Sequence, residues 1–238
     1  MSAFFYGVAL QWKLDIRSKS MLITCYLLPL MFFFFMGGVF TAVMPDARQT
    51  LVQSMTVFGV SMGALVGLPP SLVEIYGGDI KKVYRANGVP LFLGVVTNFL
   101  SAFLHLLLMS AILLLIAPAV FNAALPANLP AYFGALALFI AATLGVGSVL
   151  GLLVKDNSRL TMISQIAFLP SIMLSGIMFP IHMLPGAFEV VGKLFPAAWG
   201  YRLMTGGAFD FGLAAPLVGI LLAAVLLCAY VLSKKGKE

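Results

Sequence analysis

Six runs of roughly twenty apolar residues, separated by short polar intervals, set the pattern of this chain. They cover residues 21–43, 51–73, 91–117, 131–154, 161–179 and 213–232, and none contains Asp, Glu, Lys or Arg. Each is long enough to cross a hydrocarbon layer about 30 Å thick as a helix, and the third is long enough to tilt or project. The first run exceeds the 7 to 15 or so residues of a signal-peptide core, so it reads as a retained span. Residues 4–19 differ. Phe5, Val8, Trp12 and Ile16 recur at helical spacing, with Lys13, Arg17 and Lys19 displaced from them. That spacing predicts an amphipathic helix lying in the membrane interface, with Trp12 at headgroup depth. The expected fold is therefore an all-α integral membrane protein with six transmembrane helices and an N-terminal interfacial helix.

Two of the polar intervals stand apart. Residues 74–90, EIYGGDIKKVYRANGVP, bring Glu74, Asp79, Lys81, Lys82 and Arg85 together in a chain that is only 9% charged. Each such charge would cost about 2.5 to 3.5 kcal/mol at the centre of a span, so the stretch must be an aqueous loop. Gly77 and Gly78 break the chain before it and Gly88 and Pro90 close it, leaving room for a short surface helix over residues 79–86. Residues 180–211 are too apolar for a free loop and too interrupted by Pro and Gly for another complete span. Short helices re-entering the outer leaflet, shielded by their neighbours, reconcile the two features. An outer gate over a pathway is one reading of this re-entrant outer segment, and a connector lying on the surface is the other.

Composition supports the membrane assignment: the 238 residues are 62% hydrophobic, against roughly 45 to 50% in soluble domains, and the mean hydropathy is +1.08. The net charge of +6 does not point to nucleic acid, because the basic residues flank the spans. With the N-terminus inside, the cytoplasmic face holds Lys13, Arg17, Lys19, Lys81, Lys82, Arg85, Lys155, Arg159, Lys234, Lys235 and Lys237, and the other face only Arg48, Lys193 and Arg202. By the positive-inside rule both termini and the 74–90 loop are cytoplasmic.

Several patterns suggest chemistry and then fail a physical requirement. GKL at residues 192–194 has the wrong glycine spacing for a phosphate loop and Leu where a magnesium-binding hydroxyl belongs. The pentad GVSMG at residues 59–63 matches a hydrolase elbow, with His105 as an imaginable base for Ser61. An elbow needs a strand-to-helix turn, whereas Gly59, Gly63 and Gly67 recur every four residues within a span, as close helix packing requires. His105 is expected to be a packed, hydrogen-bonded residue, with no carboxylate in any span to partner it. His182 lies far from it, which leaves no metal-binding cluster, and Cys25 and Cys228 read as small buried hydrophobes. Without ionisable groups at midplane, energy for any transport would enter from outside the chain, through the charged loop.

At this point the arrangement resembles the permease subunits of ATP-binding-cassette transporters of the second type. The stretch GDIKKVYRANGVP at residues 78–90 is similar to that family's first cytoplasmic loop, with Glu74 shortly before it. LSGIMFP at residues 174–180, Leu184-Pro185 and LFPAAWGY at residues 194–201 are similar to its closing signature. Asp79, Gly88 and Phe195 depart from that pattern, where the family more often carries Thr, Pro and Asn. The resemblance implies one permease domain over residues 1–238, in a bacterial inner (plasma) membrane, exporting a lipid-, drug- or glycan-like substrate. It implies a second permease copy or a related permease, and a separate ATPase subunit that holds ATP and magnesium, with no cofactor in this chain. Glu74, Asp79, Lys81, Lys82 and Arg85 would then be the ATPase coupling residues. Trp12, Lys13 and Arg17 would belong to a connecting helix, and Phe179, Pro180, Pro196, Trp199 and Tyr201 to the outer gate. The alternatives are a gradient-driven secondary carrier and an intramembrane hydrolase.

Overall fold

The computed structural model describes residues 3–78, 80–178 and 185–237, and every regular element among them is helical. A first helix, α1 (Ala3–Arg17), leads into α2 (Lys19–Val43) and α3 (Leu51–Gly77). The short α4 (Ile80–Ala86) precedes α5 (Phe92–Phe121), α6 (Leu129–Leu153) and α7 (Asn157–Met173). Two further short helices, α8 (Gly186–Gly192) and α9 (Pro196–Thr205), come before α10 (Phe211–Lys237). Five of these, α2, α3, α5, α6 and α10, are long and apolar enough to cross a membrane.

α3 forms the centre, with almost every side chain of its first half buried, while α2 and α10 expose most of their apolar surface. Large exposed apolar side chains such as Phe35, Leu115 and Leu226 are what a lipid-facing surface requires. α6 packs directly on the backbone of α3, because Gly147 and Gly151 lie one turn apart on the contacting face. A Cβ at Gly151 would stand 2.9 Å from the Pro69 carbonyl oxygen, and one at Gly147 would overlap the Ala64 carbonyl. The same pair of helices shares a buried hydrogen bond of 2.9 Å between the hydroxyls of Thr56 and Tyr132.

Both α2 and α3 contain one widened turn, Ile23–Leu27 and Gly63–Gly67. In each, an N–H reaches back five residues, from Leu28 to Ile23 and from Leu68 to Gly63. Pro29 follows the first, and Pro69 and Pro70 follow the second. A proline clashes with the carbonyl four residues earlier, and a widened turn relieves that clash without ending the helix. The two turns sit side by side: a Cβ on Gly63 or Gly67 would lie 3.3 or 3.2 Å from Cys25 Sγ. The glycines read from sequence as packing positions therefore do meet neighbours at close range.

The fifth apolar run departs from expectation. Its helix ends at Met173, is 17 residues long and spans roughly 25 Å, short of a full crossing. Gly176, at φ +90°, turns the chain out of the helix, and the buried Ser175 hydroxyl secures that turn by donating to Ile172 O at 2.7 Å. At one end of the bundle, Gly77, Lys155 and Lys235 line a common cavity. At the other end, Gln49, Asn128 and Thr205 line another, and Ala124 N–H donates to Arg48 O. Alternate connections thus gather at alternate ends, and the first is called the basic end below.

Candidate coupling site at the basic end

The basic end is built from two connections and the last turns of α10, which bring four lysines together. α3 stops at Gly77 and Gly78, which free the chain to turn, and α4 then presents Lys81 and Lys82. The turn after α6 contributes Lys155, held close because Gly77 has no side chain: a Cβ there would be 3.3 Å from the Lys155 carbonyl oxygen. The last turns of α10 contribute Lys235, only 9% exposed, with its ammonium 5.8 Å from the Tyr76 ring centroid. Tyr76 and these four lysines line a cavity of about 270 Å³. A lysine this buried needs compensation, and the face of an aromatic ring supplies part of it.

Of the predicted coupling residues, Glu74 is exposed at the end of α3, and Lys81 and Lys82 lie in the cavity wall. Asp79 lies outside the described residues; Arg85 belongs to α4, but its side chain is not among those described. Lys155 and Lys235 were read from sequence only as flanking charges, and the structure joins them to the α4 lysines.

A second polar feature ties α1 to the bundle. Asp15, 8% exposed, accepts from Ser101 Oγ of α5 at 2.5 Å and from Gln11 Nε2 at 2.8 Å. One turn along α5, the His105 ring stacks on Trp12 with centroids 3.9 Å apart and planes 7° apart. His105 Nδ1 is 2.7 Å from the Tyr26 hydroxyl, and its buried Nε2 has no hydrogen-bond partner. Burial raises the Asp15 carboxyl above its ordinary pKa, with the Ser101 and Gln11 hydrogen bonds pulling the other way.

This seam adds detail to two expectations. On α1, Phe5 and Ile16 are exposed, Val8 and Trp12 are half-buried, and Asp15 is buried. Lipid, unlike water, accepts the apolar face, so the polar residues turn inward to find partners. His105 is packed and hydrogen-bonded as expected, and the carboxylate near it, Asp15, comes from α1 rather than from a span. Trp12 belongs to the seam, whereas Lys13 and Arg17 remain exposed. A signal existed: Gln11 and Asp15 are four residues apart, and so are Ser101 and His105, giving one polar stripe on each of two apolar helices.

At the opposite end, α8 is largely exposed and α9 is inserted against α6, with Gly200 beneath the Phe139 ring. Glu189 joins the two, 3.1 Å from Lys193 and 3.3 Å from Arg202, and these cations hold its carboxyl below the usual range. Trp199 donates from Nε1 to Lys193 O at 2.7 Å and lies under the Arg202 guanidinium. Pro196 opens α9 and is buried; Phe179, Pro180 and His182 lie outside the described residues. Tyr201 lines a cavity of about 460 Å³ with Phe40, Met44 and Ile177. That cavity shares Phe40 and Met178 with an apolar cleft of about 560 Å³ between α2 and α7, walled by Phe32, Met36, Phe168 and Met173.

Among the described residues no hydrolytic site forms. Ser61 lies inside a continuous helix with its hydroxyl unpartnered, and His105 is bonded to Tyr26. Cys25 and Cys228 are both free thiols.

Long apolar helices with a basic cluster at one end and a short cationic helix beneath the most buried of them define a multi-pass membrane permease. The chain belongs to the ABC-2 type transporter family, whose model matches residues 2–209. Membrane permease domains of this family lack ATPase activity and generally pair with ATPase subunits. No curated protein matches the chain.

Proposed function

We propose that the chain is one half of an ATP-driven exporter, with the basic end cytoplasmic and a separate ATPase subunit docked on α4. The observation that carries this is the placement of α4: it follows the central helix α3 after a two-glycine turn, beside Lys155 of the α6–α7 turn and Lys235 at the end of α10. A push on α4 passes directly into the most buried helix, and the paired widened turns of α2 and α3 give that motion a place to bend. α1, sealed to α5 by Asp15 and Trp12, would act as the connecting helix beside the same ATPase.

In this reading α7 and the turn following it form the sixth crossing, completed by a second permease chain that faces the α2 and α7 cleft. The cleft and the cavity under Tyr201 then form one wall of the export route, with α8 and α9 as its outer gate. Their phenylalanines and methionines suit an amphiphilic cargo of lipid, drug or glycan-lipid character. Both termini are cytoplasmic, and ATP and magnesium are held by the partner. Family membership supports an ATPase motor over a gradient-driven carrier.

The test is reconstitution with the ATPase. Lys81→Glu, Lys82→Glu and Arg85→Glu combined should abolish ATP-driven export while the purified chain keeps its helix content and monodispersity. Export at the normal rate in that variant would overturn the coupling assignment.

A further inference from the structure

The cavity at the end opposite the lysines holds a polar group that the fold leaves unsatisfied. Gln53, in the first turn of α3, is 5% exposed, and its Oε1 has no hydrogen-bond partner among the described residues. It lines a cavity of about 200 Å³ between the start of α3, the α5–α6 connection and the α9–α10 turn. A buried amide oxygen without a donor is destabilising, so its presence here points to an occupant that brings the donor. The walls are set without one. Ala124 N–H donates to Arg48 O at 2.9 Å and ties the α5–α6 connection to the turn before α3, while the bond between Tyr132 and Thr56 holds α6 to α3. Asn128 Oδ1 caps α6 by accepting from Ala131 N–H at 3.1 Å, which leaves the amide NH2 to donate. Thr205 Oγ1 donates to Tyr201 O at 2.9 Å and keeps its lone pairs to accept. Leu125, Tyr132 and Met204 give the cavity an apolar side, and none of the described residues lining it is charged.

These features select among occupants. An ion would lose hydration with no counter-charge to replace it, and an apolar solute would leave Gln53 bare. A hydroxyl both donates and accepts, so it serves the donors and acceptors of this wall alike. The volume is room for about six waters, too much for a single bridging water and suited to one ring bearing several hydroxyls. We infer that this cavity binds a neutral sugar ring. One ring hydroxyl donates to Gln53 Oε1, others bond with Asn128 and Thr205, and the C–H face of the ring lies against Leu125, Tyr132 and Met204. The cavity is separate from the export route proposed above, since Thr50 and Ser54 line the cavity under Tyr201 and the two share no lining residue. The inference requires neither ATPase docking nor transport.

The full-length chain, purified alone in a polyoxyethylene detergent that carries no sugar, is titrated with the methyl glycosides of glucose, galactose and N-acetylglucosamine. Binding is read by saturation-transfer NMR, and wild type should bind at least one of them with a Kd on the order of a millimolar. Gln53→Met, of similar shape, should weaken that binding on the order of tenfold, while the thermal midpoint of the sugar-free chain stays level or rises because no bond is lost. Ala127→Trp, at an exposed position in the cavity wall, should fill the space and weaken binding too. Glucuronate should bind more weakly than glucose. Failure of wild type to bind any of the three glycosides overturns the site and leaves the cavity to ordered water, and so does binding unchanged in either variant. A midpoint that falls in Gln53→Met would make this residue a structural group and refute its role as the acceptor. Equal affinity for glucuronate and glucose would refute selection of a neutral ring. A glucosyl lipid in the micelle distinguishes the source: displacement of the methyl glycoside at far lower lipid concentration assigns the site to lipid headgroups, and displacement at equal concentration assigns it to sugars arriving from water. Because no ATPase is present, a negative result leaves the coupling reading where it stood.

Discussion

The two polar features near the start of the bundle are built on opposite principles. In the α1–α5 seam, polar groups are buried against specific partners: Asp15 with Ser101 and Gln11, His105 with Tyr26 and Trp12. At the basic end, Lys81, Lys82, Lys155 and Lys235 gather around one cavity at the end of the bundle. The seam is thus an internal fastening, and on the coupling proposed above the lysine cavity is a port. Substitutions should separate the two, since damage to a fastening shows as lost stability and damage to a port as lost function.

The largest effect is expected at the port. Reversing Lys81 and Lys82 to Glu should reduce transport-linked ATP turnover in the reconstituted complex on the order of tenfold or more, the scale of a lost intersite coupling. The thermal midpoint of the isolated chain should stay close to wild type, because charge pairs near the surface contribute little to stability. A fall in midpoint matching the fall in turnover would place these lysines among the structural groups and end the distinction.

Next comes the fastening. Asp15→Ala leaves Ser101 Oγ and Gln11 without their acceptor, and a buried group stranded in this way costs about 1 to 3 kcal/mol. Amide hydrogen exchange across α1 should accelerate accordingly, with α3 unaffected. Asp15→Asn keeps an acceptor oxygen and should lose far less. Equal exchange in the two variants would mean that the hydrogen bonds do not hold α1 in place.

The same carboxyl gives the seam a pH dependence. Its pKa in the folded chain is raised, burial being the main cause, so the docked α1 binds the proton more tightly than the undocked one. Docking is therefore strongest below the ordinary Asp value of 3.8 and weakens as pH rises through the elevated folded value. A fluorophore near Trp12 should report looser attachment across that interval in wild type and a flat profile in Asp15→Asn. A wild-type profile of opposite slope would show that the ionised form is the one the seam prefers.

The contrast also explains what could be read from the amino-acid order. Residues 51–73 announce themselves as a span because lipid rewards an unbroken apolar run, and the run near residue 100 does so despite its polar stripe. The charged loop was legible for the converse reason, since Lys81 and Lys82 have no place in hydrocarbon. The face of α1 was not legible, because an amphipathic pattern says which side is apolar and not whether that side meets lipid or protein. The early end of α7 escaped notice too, since LSGIM is as apolar as the helix before it and only the positive φ of Gly176 stops it. Convergence of Lys155 and Lys235 on α4 depends on tertiary packing through Gly77, which no local pattern encodes.

The smallest effect is expected at the opposite end, where Glu189 staples α8 to α9 through Lys193 and Arg202. Here the sign of the pH dependence reverses. The two cations depress the Glu189 pKa, so the staple contributes above the ordinary Glu value of 4.5 and is lost as pH falls through the lower folded value. The carboxylate is open to solvent and screened by salt, so Glu189→Gln should barely move the thermal midpoint. Local exchange in α8 should rise in the variant at neutral pH, and the difference should vanish in acid or at high salt. If the difference persisted at high salt, α8 would be held by packing, and the outer end would contain a fastening of the same kind as the α1 seam.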